Sequence, residues 1–250
     1  MTRVVWVRMA VIAATVLAVE ALCRSRIIDP FTMIPPSEML AELVSILLSG
    51  EYLDDIALTL ANVGIALVLA VTVGFVAGAI LFVMPRVRRV VDPLLASYYA
   101  IPIFVFYPLF IVLFGLNRFP QIMIGFLLAV VAMIINTLNG FDRVPRVLLK
   151  TARVHRLGRL RTISLVILPY ATLYIFTGLK LAVAYSFIGV IAAEFILSGD
   201  GMGYEISFAY NNFDNETMYP LILLILIIAT VINMGLYTWE KWFRQRQTER

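Results

Sequence analysis

The chain has 250 residues, of which 62% are apolar and 14% are charged, and its formal net charge is +4. Soluble domains are roughly half apolar and a quarter charged, so this composition excludes an ordinary soluble globular fold. A single cysteine, Cys23, excludes an internal disulfide.

Six apolar stretches are each close to or above the roughly 20 residues that cross a bilayer as a helix. When the gaps are assigned alternately to two sides, one side receives sixteen Lys or Arg, counting Arg8 near the end of the first span, and four Asp or Glu; the other receives three and ten. Positive charge marks the cytoplasmic side, so both termini are predicted to be cytoplasmic. The basic residues follow topology, which argues against a nucleic-acid surface. The predicted spans are 4–23, 57–83, 93–115, 120–137, 170–194 and 218–238.

The first apolar run resembles a signal peptide in one respect, since Arg3 precedes it. Its end, Ala21-Leu22-Cys23, lacks the small residues that signal peptidase or lipoprotein processing needs. The run is also long for a signal sequence. We therefore predict that it is retained as the first span.

The gap 24–56 carries two arginines and six acidic residues and is predicted to be external. Two prolines followed by Ser37 and Glu38 indicate the start of a helix. The apolar run 39–48 is too short to cross a bilayer, so we expect it to lie along the membrane surface.

Spans two and three carry residues that affect helix packing. Gly74 and Gly78 are four residues apart, which is typical of close helix contact, although glycine is in any case common in membrane helices.

Pro102 and Pro108 interrupt the hydrogen-bond ladder of the third span. Lipid does not satisfy the freed carbonyls, so this span is predicted to face protein or a water-filled path. The alternative is an ordinary kinked packing helix.

The segment 138–169 is too polar to span and carries seven Lys or Arg against the single Asp142. Asp142 is predicted to cap a helix that is entered at Pro145 and covers 146–157. Its basic positions do not gather on one face, so a simple membrane-surface helix is not expected. Mixed faces favour a helix held by its own spans on one side and by a soluble partner on the other. A solvated basic loop would explain the charge but not the helix.

This segment and its surroundings resemble the permease subunits of bacterial ATP-binding-cassette importers, whose cytoplasmic EAA loop has a similar pattern. The loop matches are Pro145, Leu148, Leu149, Ala152, Arg153, Val166, Leu168 and Pro169. Further matches are Asp92 to Leu94, Ile101, Pro102, Phe114, Gly115, Gly178 to Lys180, Ala193, Glu194, Gly201 to Gly203 and Ile206. The similarity is greatest to the branch that imports sulfonates, taurine, nitrate or the pyrimidine precursor of thiamine.

The chain departs from the family pattern inside the loop. Lys150 replaces the Glu, Thr151 replaces the first Ala, and Arg156 replaces the Gly. A glycine follows two residues later at Gly158. Because Gly usually supplies the turn at the helix end, either the turn shifts to Gly158 or the coupling is altered.

The resemblance implies an all-α membrane protein with six transmembrane helices and a cytoplasmic coupling helix between spans four and five. It implies one permease domain over 1–250, with the first span and external loop in 1–55 and the importer core in 56–245. The expected assembly in the bacterial inner membrane is a homodimer with two ATP-binding subunits and a periplasmic or lipid-anchored substrate-binding protein. ATP and Mg would belong to the partner, and this chain would need no cofactor. The implied coupling residues are Pro145, Leu148, Leu149, Lys150, Thr151, Ala152, Arg153, Arg156 and Gly158.

Ionisable residues inside the spans are rare, and such groups usually face the bundle interior and have functional roles. Glu20, Lys180 and Glu194 belong to this group, with Arg8 near a span end. Lys180 and Glu194 are fourteen residues apart on one helix, about 21 Å, so they do not pair with each other. Snorkelling is the alternative for Lys180, and interfacial solvation is the alternative for Glu194.

Spans three and five are predicted to line the translocation path, because the third needs a protein or water neighbour and the fifth carries polar groups. Ordinary packing is the alternative for the aromatic side chains, Tyr185 included. The predicted path residues are Tyr99, Pro102, Phe106, Lys180, Tyr185, Ser186 and Glu194.

The sequence does not support catalysis by this chain. It has no phosphate-binding Gly-Lys-Ser/Thr loop, no His pair and no Cys cluster, and its one histidine is His155. Two other functions stay open: an ion channel or secondary carrier that works without an ATPase, and a membrane scaffold.

Overall fold

The computed structural model describes residues 2–248, and the side chains of these residues other than 2–5, 159, 160, 197 and 242–248. All regular structure in this part of the chain is helical, as predicted. The α-helices are α1 (Thr2–Arg24), α2 (Pro36–Ser49), α3 (Leu53–Val83), α4 (Pro85–Ser97), α5 (Tyr107–Phe114), α6 (Phe119–Asp142), α7 (Arg146–Val154), α8 (Arg159–Thr162), α9 (Leu168–Leu197), α10 (Met202–Asn211) and α11 (Asn215–Thr248).

Five helical segments within the described residues are long and apolar enough to cross a membrane, and one bent helix pair is a further candidate. They correspond to the six predicted spans. The five segments are Trp6–Arg24, Leu53–Val83, Phe119–Asp142, Ile163–Ile196 and Asn215–Lys241.

The third predicted span is broken at Pro102, as predicted, but not at Pro108. It is divided into Pro85–Ala100 and Ile103–Phe114, which meet at 90°. The break lies at Ile101, whose backbone is extended, and at Pro102. A residue before proline avoids the helical region and proline lacks an N–H, so the helix stops here. Pro108 lies in the first turn of α5 and is tolerated there.

The described part of the chain forms two compact units of interleaved segments. The first unit comprises 1–58 and 194–228, of which residue 1 is outside the described range. Its core joins α2 to α10 and α11: Leu43, Met202 and Leu224 form one buried cluster. A second cluster is made by Ile206, Ala209, Met218 and Leu221.

The second unit comprises 59–193 and 229–250, described as far as residue 248. Its helices pack closely at glycines. A Cβ atom on Gly74 would lie 2.7 Å from Met133 Cβ, and one on Gly78 would lie 2.8 Å from Thr137 Cβ. Real Cβ atoms do not approach so closely, so both glycines are required by helix contact, as their spacing predicts.

Candidate functional site

Helix α7 is the structural counterpart of the predicted coupling helix. It begins after Pro145, as predicted, and ends at Val154, earlier than the predicted residue 157. Asp142 does not cap it, contrary to the prediction. The Asp142 carboxylate instead accepts two hydrogen bonds from Arg88, at 2.8 Å from Nη1 and 2.5 Å from Nη2. This pair joins the end of α6 to α4 and fixes the point from which the loop starts.

Helix α7 has one face packed inside its own unit and one face open. Ala152 is only 2% exposed, and Leu149 packs against the buried cluster that contains Phe141 and Val144. The open face carries Val147 and Val154, which are 69% and 80% exposed, together with Lys150, Thr151 and Arg153. Ala152 therefore packs within this chain, and its role in the contact with a partner stays a prediction.

The turn after α7 stays at Arg156 and does not shift to Gly158. Arg156 has a φ of 50°, in the left-handed region. Its N–H donates to the Arg153 carbonyl at 2.9 Å, and the Leu157 N–H donates to the Ala152 carbonyl at 2.9 Å. These two bonds define a Schellman motif, which normally has Gly at the left-handed position. In this chain Arg156 adopts the backbone conformation that Gly normally supplies.

Replacing Arg156 by Gly should therefore raise the free energy of unfolding by about 1 kcal/mol, because left-handed backbone costs a non-glycine residue roughly 1–2 kcal/mol. Thermal unfolding of the purified protein in detergent measures this change. The matched control is Arg153→Gly inside the helix, which should lower stability by about 1 kcal/mol. Equal destabilisation by both substitutions would contradict the strained turn.

A groove of about 520 Å³ lies between α7 and the start of α9. The Arg143 guanidinium lies over the Tyr174 ring at 5.4 Å and donates to its hydroxyl at 3.2 Å. Just before α9, Ile163–Ile167 form a π-helical turn that leads into Pro169. The groove is lined by Leu148, Leu165, Val166, Pro169, Tyr170, Leu173 and Tyr174.

Four of the predicted path residues retain an accessible or half-buried position. Tyr99 stacks on Tyr185 with ring centroids 5.4 Å apart. Pro102 is exposed at the helix break, and Phe106 is 39% exposed. Tyr98 holds the same break in place, since its hydroxyl donates to the Leu127 carbonyl at 3.0 Å.

Lys180 does not stand alone, because its ammonium donates to the Glu240 carboxylate in a short ion pair. The Lys180 side chain is 28% exposed and that of Glu240 is 6% exposed. Phe176, one turn before Lys180, meets the ring of Trp239 edge to face at 5.0 Å. Sequence reasoning missed Glu240, because an acidic residue at the end of the last span looks like an ordinary loop charge.

Ser186 is fully buried, and its Oγ has no hydrogen-bond partner within the described residues. It lies where two helices meet at glycines. A Cβ atom on Gly125 would lie 3.2 Å from the Ser186 carbonyl, and one on Gly189 would lie 2.6 Å from Gly125 Cα. Ser186 therefore lies in a packed helix contact and not at an open surface.

Glu194 is also fully buried, which excludes interfacial solvation. Its carboxylate accepts a hydrogen bond from the Gly203 N–H at 3.2 Å, and Asp55 accepts one from the Gly201 N–H at 2.7 Å. Both acids thus bind the N-terminal end of α10, where unpaired N–H groups favour negative charge. Gly201 has a φ of 94°, and a Cβ there would lie 2.6 Å from Glu194 Cδ.

An acidic cavity of about 330 Å³ lies beside α10. Burial, together with the nearby charges of Asp55 and Glu51, raises the pKa of Glu205. The lining residues are Glu51, Tyr52, Asp55, Glu205, Phe208, Ala209, Asp214 and Thr217.

A family model described as "Binding-protein-dependent transport system inner membrane component" matches residues 70–249. The chain belongs to this family, whose members are permease subunits of ATP-binding-cassette importers. Family membership therefore decides against a lone channel or carrier and against a scaffold.

Three relatives illustrate the branch. The taurine transport system permease protein TauC of Escherichia coli (strain K12) is 27% identical over 84% of this chain and 78% of its own. The nitrate import permease protein NrtB of Leptolyngbya laminosa is 30% identical over 72% of this chain and 64% of its own. The bicarbonate transport system permease protein CmpB of Synechococcus elongatus is 30% identical over 67% of this chain and 58% of its own.

A solved structure titled as an inward-facing conformation of the MetNI methionine ABC transporter has a similar fold. The TM-score is 0.66 at 16% identity, and the match covers 77% of this chain and 95% of that chain.

Proposed function

We propose that this chain forms, as a homodimer, the translocation path of an importer driven by two copies of a separate ATP-binding subunit. Helix α7 carries the proposal. One face of this basic helix is packed within its own unit, and the open face presents Val147, Lys150 and Val154. Exposed valines beside a charged residue on a short cytoplasmic helix suit a protein partner better than water. ATP and Mg would be bound by that partner.

The substrate class follows from the relatives. Taurine, nitrate and bicarbonate, which appear in their names, all carry anionic oxygen atoms. We propose that a small solute of this kind is imported, a sulfonate, taurine or nitrate, with a pyrimidine precursor as the alternative. A periplasmic or lipid-anchored binding protein would deliver it to the acidic external segments, which include the cavity at Glu205.

The path itself is proposed to follow the broken third span. The Tyr99–Tyr185 ring pair, Pro102 and Phe106 would line it. Lys180, Ser186 and Glu194 are engaged or enclosed within the chain, so we propose that they support the path without contacting the solute.

The proposal is tested by co-purification with the cognate ATP-binding subunit and by ATP hydrolysis of the reconstituted complex. Val147→Asp and Val154→Asp should each weaken the association about 10-fold or more, because a carboxylate desolvated at an interface loses at least about 1.4 kcal/mol. Lys150→Glu should also weaken it, since the partner's groove must match this chain's positive charge.

The matched control is Val90→Asp, which introduces the same charge at a valine of α4 that is 69% exposed and lies outside the segment. This variant should co-purify normally. Normal co-purification and hydrolysis with all three α7 variants would show that the segment is only a basic connection.

A further inference from the structure

Helix α2 precedes the family match, which begins at residue 70, and it carries three separate stripes along its length. Each stripe follows a spacing of four and three residues, so each stays on one side of the helix. Because a helix advances about 100° per residue, neighbouring stripes lie about 100° apart. The polar stripe is Glu38, Glu42, Ser45 and Ser49; the buried stripe is Met39, Leu43 and Ile46; the third is Leu40, Val44 and Leu47, extended by Leu48.

The buried stripe explains how α2 is held within its unit. Leu43 clusters with Met202 and Leu224, and Ile46 packs against the cluster around Ile206. The third stripe is apolar and open: Leu40 is 54% exposed and Leu48 is 83% exposed. The chain thus buries one apolar side of α2 and leaves a second apolar side uncovered.

The first turn of α2 is tied to the end of α1. The Glu20 carboxylate accepts hydrogen bonds from the Ser37 N–H at 3.0 Å and from the Ser37 hydroxyl at 2.7 Å. Arg24 pairs with the same carboxylate at 2.6 Å. Glu20, an ionisable residue inside the first span, therefore has a positioning role: it fixes α2 at the level where the span ends.

The surface of α1 continues into that of α2. Only 6% of the apolar window in Trp6–Arg24 is buried, so the rest of the described chain leaves nearly the whole circumference of this helix uncovered. With 14 residues, α2 is about 21 Å long and cannot cross a hydrocarbon core of about 30 Å. A helix with one apolar and one polar side that starts at the end of a span is placed to lie in the interface plane.

We propose that acyl chains of the leaflet on the predicted external side cover the stripe formed by Leu40, Val44, Leu47 and Leu48. The polar stripe of α2 then faces water and the buried stripe faces α10 and α11. Four side chains are too few for a stable protein interface, which takes roughly 20–30 residues a side. The stacked pair of Phe31 and Phe213, 66% and 68% exposed, adds two exposed apolar rings just outside the spans.

The test uses the full-length chain in a Cys23→Ala background, reconstituted into nanodiscs of phosphatidylethanolamine and phosphatidylglycerol. Single cysteines at Leu40, Val44, Leu47 and Leu48 are spin-labelled one at a time. The matched controls are Glu42→Cys and Ser45→Cys on the polar stripe. Relaxation of each label by oxygen, which concentrates in lipid, is compared with relaxation by a water-soluble nickel chelate.

The four apolar positions should show high oxygen and low nickel accessibility, and the two controls should show the reverse. Labels at four positions keep the test independent of any one variant that folds poorly. Nickel accessibility at Leu40 and Leu48 equal to that at Ser45 would overturn the proposal, since the stripe would then face water. Low accessibility to both reagents with spin–spin broadening would also overturn it, in favour of contact with a second copy of the chain.

Discussion

Replacing Lys180 by Met is expected to lower the free energy of unfolding by about 3 kcal/mol, the lower end of the range for breaking a buried ion pair. The substitution removes the Lys180 ammonium from the Glu240 carboxylate, which is 6% exposed and lies in an apolar helix contact. Phe176 and Trp239 pack beside the pair, so the end of α11 should loosen from α9. Thermal unfolding in detergent, together with proteolysis of the C-terminal end of α11, measures the effect.

The reversed pair, Lys180→Glu with Glu240→Lys, is the matched control. It restores opposite charges at the same positions and should recover part of the lost stability. Uptake by this double variant separates two roles for Lys180. Recovery of both stability and uptake indicates a structural pair, whereas recovery of stability alone would show that the ammonium contacts the transported solute.

Replacing Gly201 by Ala is expected to have a comparable effect. The new methyl group would lie 2.6 Å from Glu194 Cδ, at a backbone φ of 94°. The strain contributes about 1–3 kcal/mol, and displacing the buried carboxylate from the Gly203 N–H adds about 1–3 kcal/mol. Loss of thermal stability and of uptake should both be observed, because the N-terminal end of α10 loses one of the two carboxylates that bind it.

The control for this variant is Gly199→Ala, since a Cβ at Gly199 would meet no atom within 4 Å. It should change stability by no more than about 0.5 kcal/mol. A double-mutant cycle with Glu194→Ala tests the cause. When the carboxylate is absent, Gly201→Ala should retain only the backbone strain, and additive effects of the two substitutions would refute the steric account.

The sequence alone determined the membrane-spanning segments and the family resemblance. Long apolar runs have no other stable environment, and the positive-inside pattern is local information that survives without any tertiary contact. The start of α2 at Pro36 and the start of α7 after Pro145 also follow from short-range chemistry, because proline favours the backbone conformation of the first turn. The close helix contact at Gly74 and Gly78 was likewise indicated by their spacing of four residues.

Only the tertiary structure decided which charges meet. Lys180 and Glu240 are sixty residues apart, Arg88 and Asp142 are fifty-four apart, and no local pattern relates them. The 90° angle of the bend at Pro102 likewise depends on which helices the chain packs against after the break. The sequence therefore determined which segments enter the membrane, since burial in lipid is decided residue by residue. The tertiary structure decided how polar groups inside those segments are satisfied, since hydrogen bonds and ion pairs need partners from distant parts of the chain.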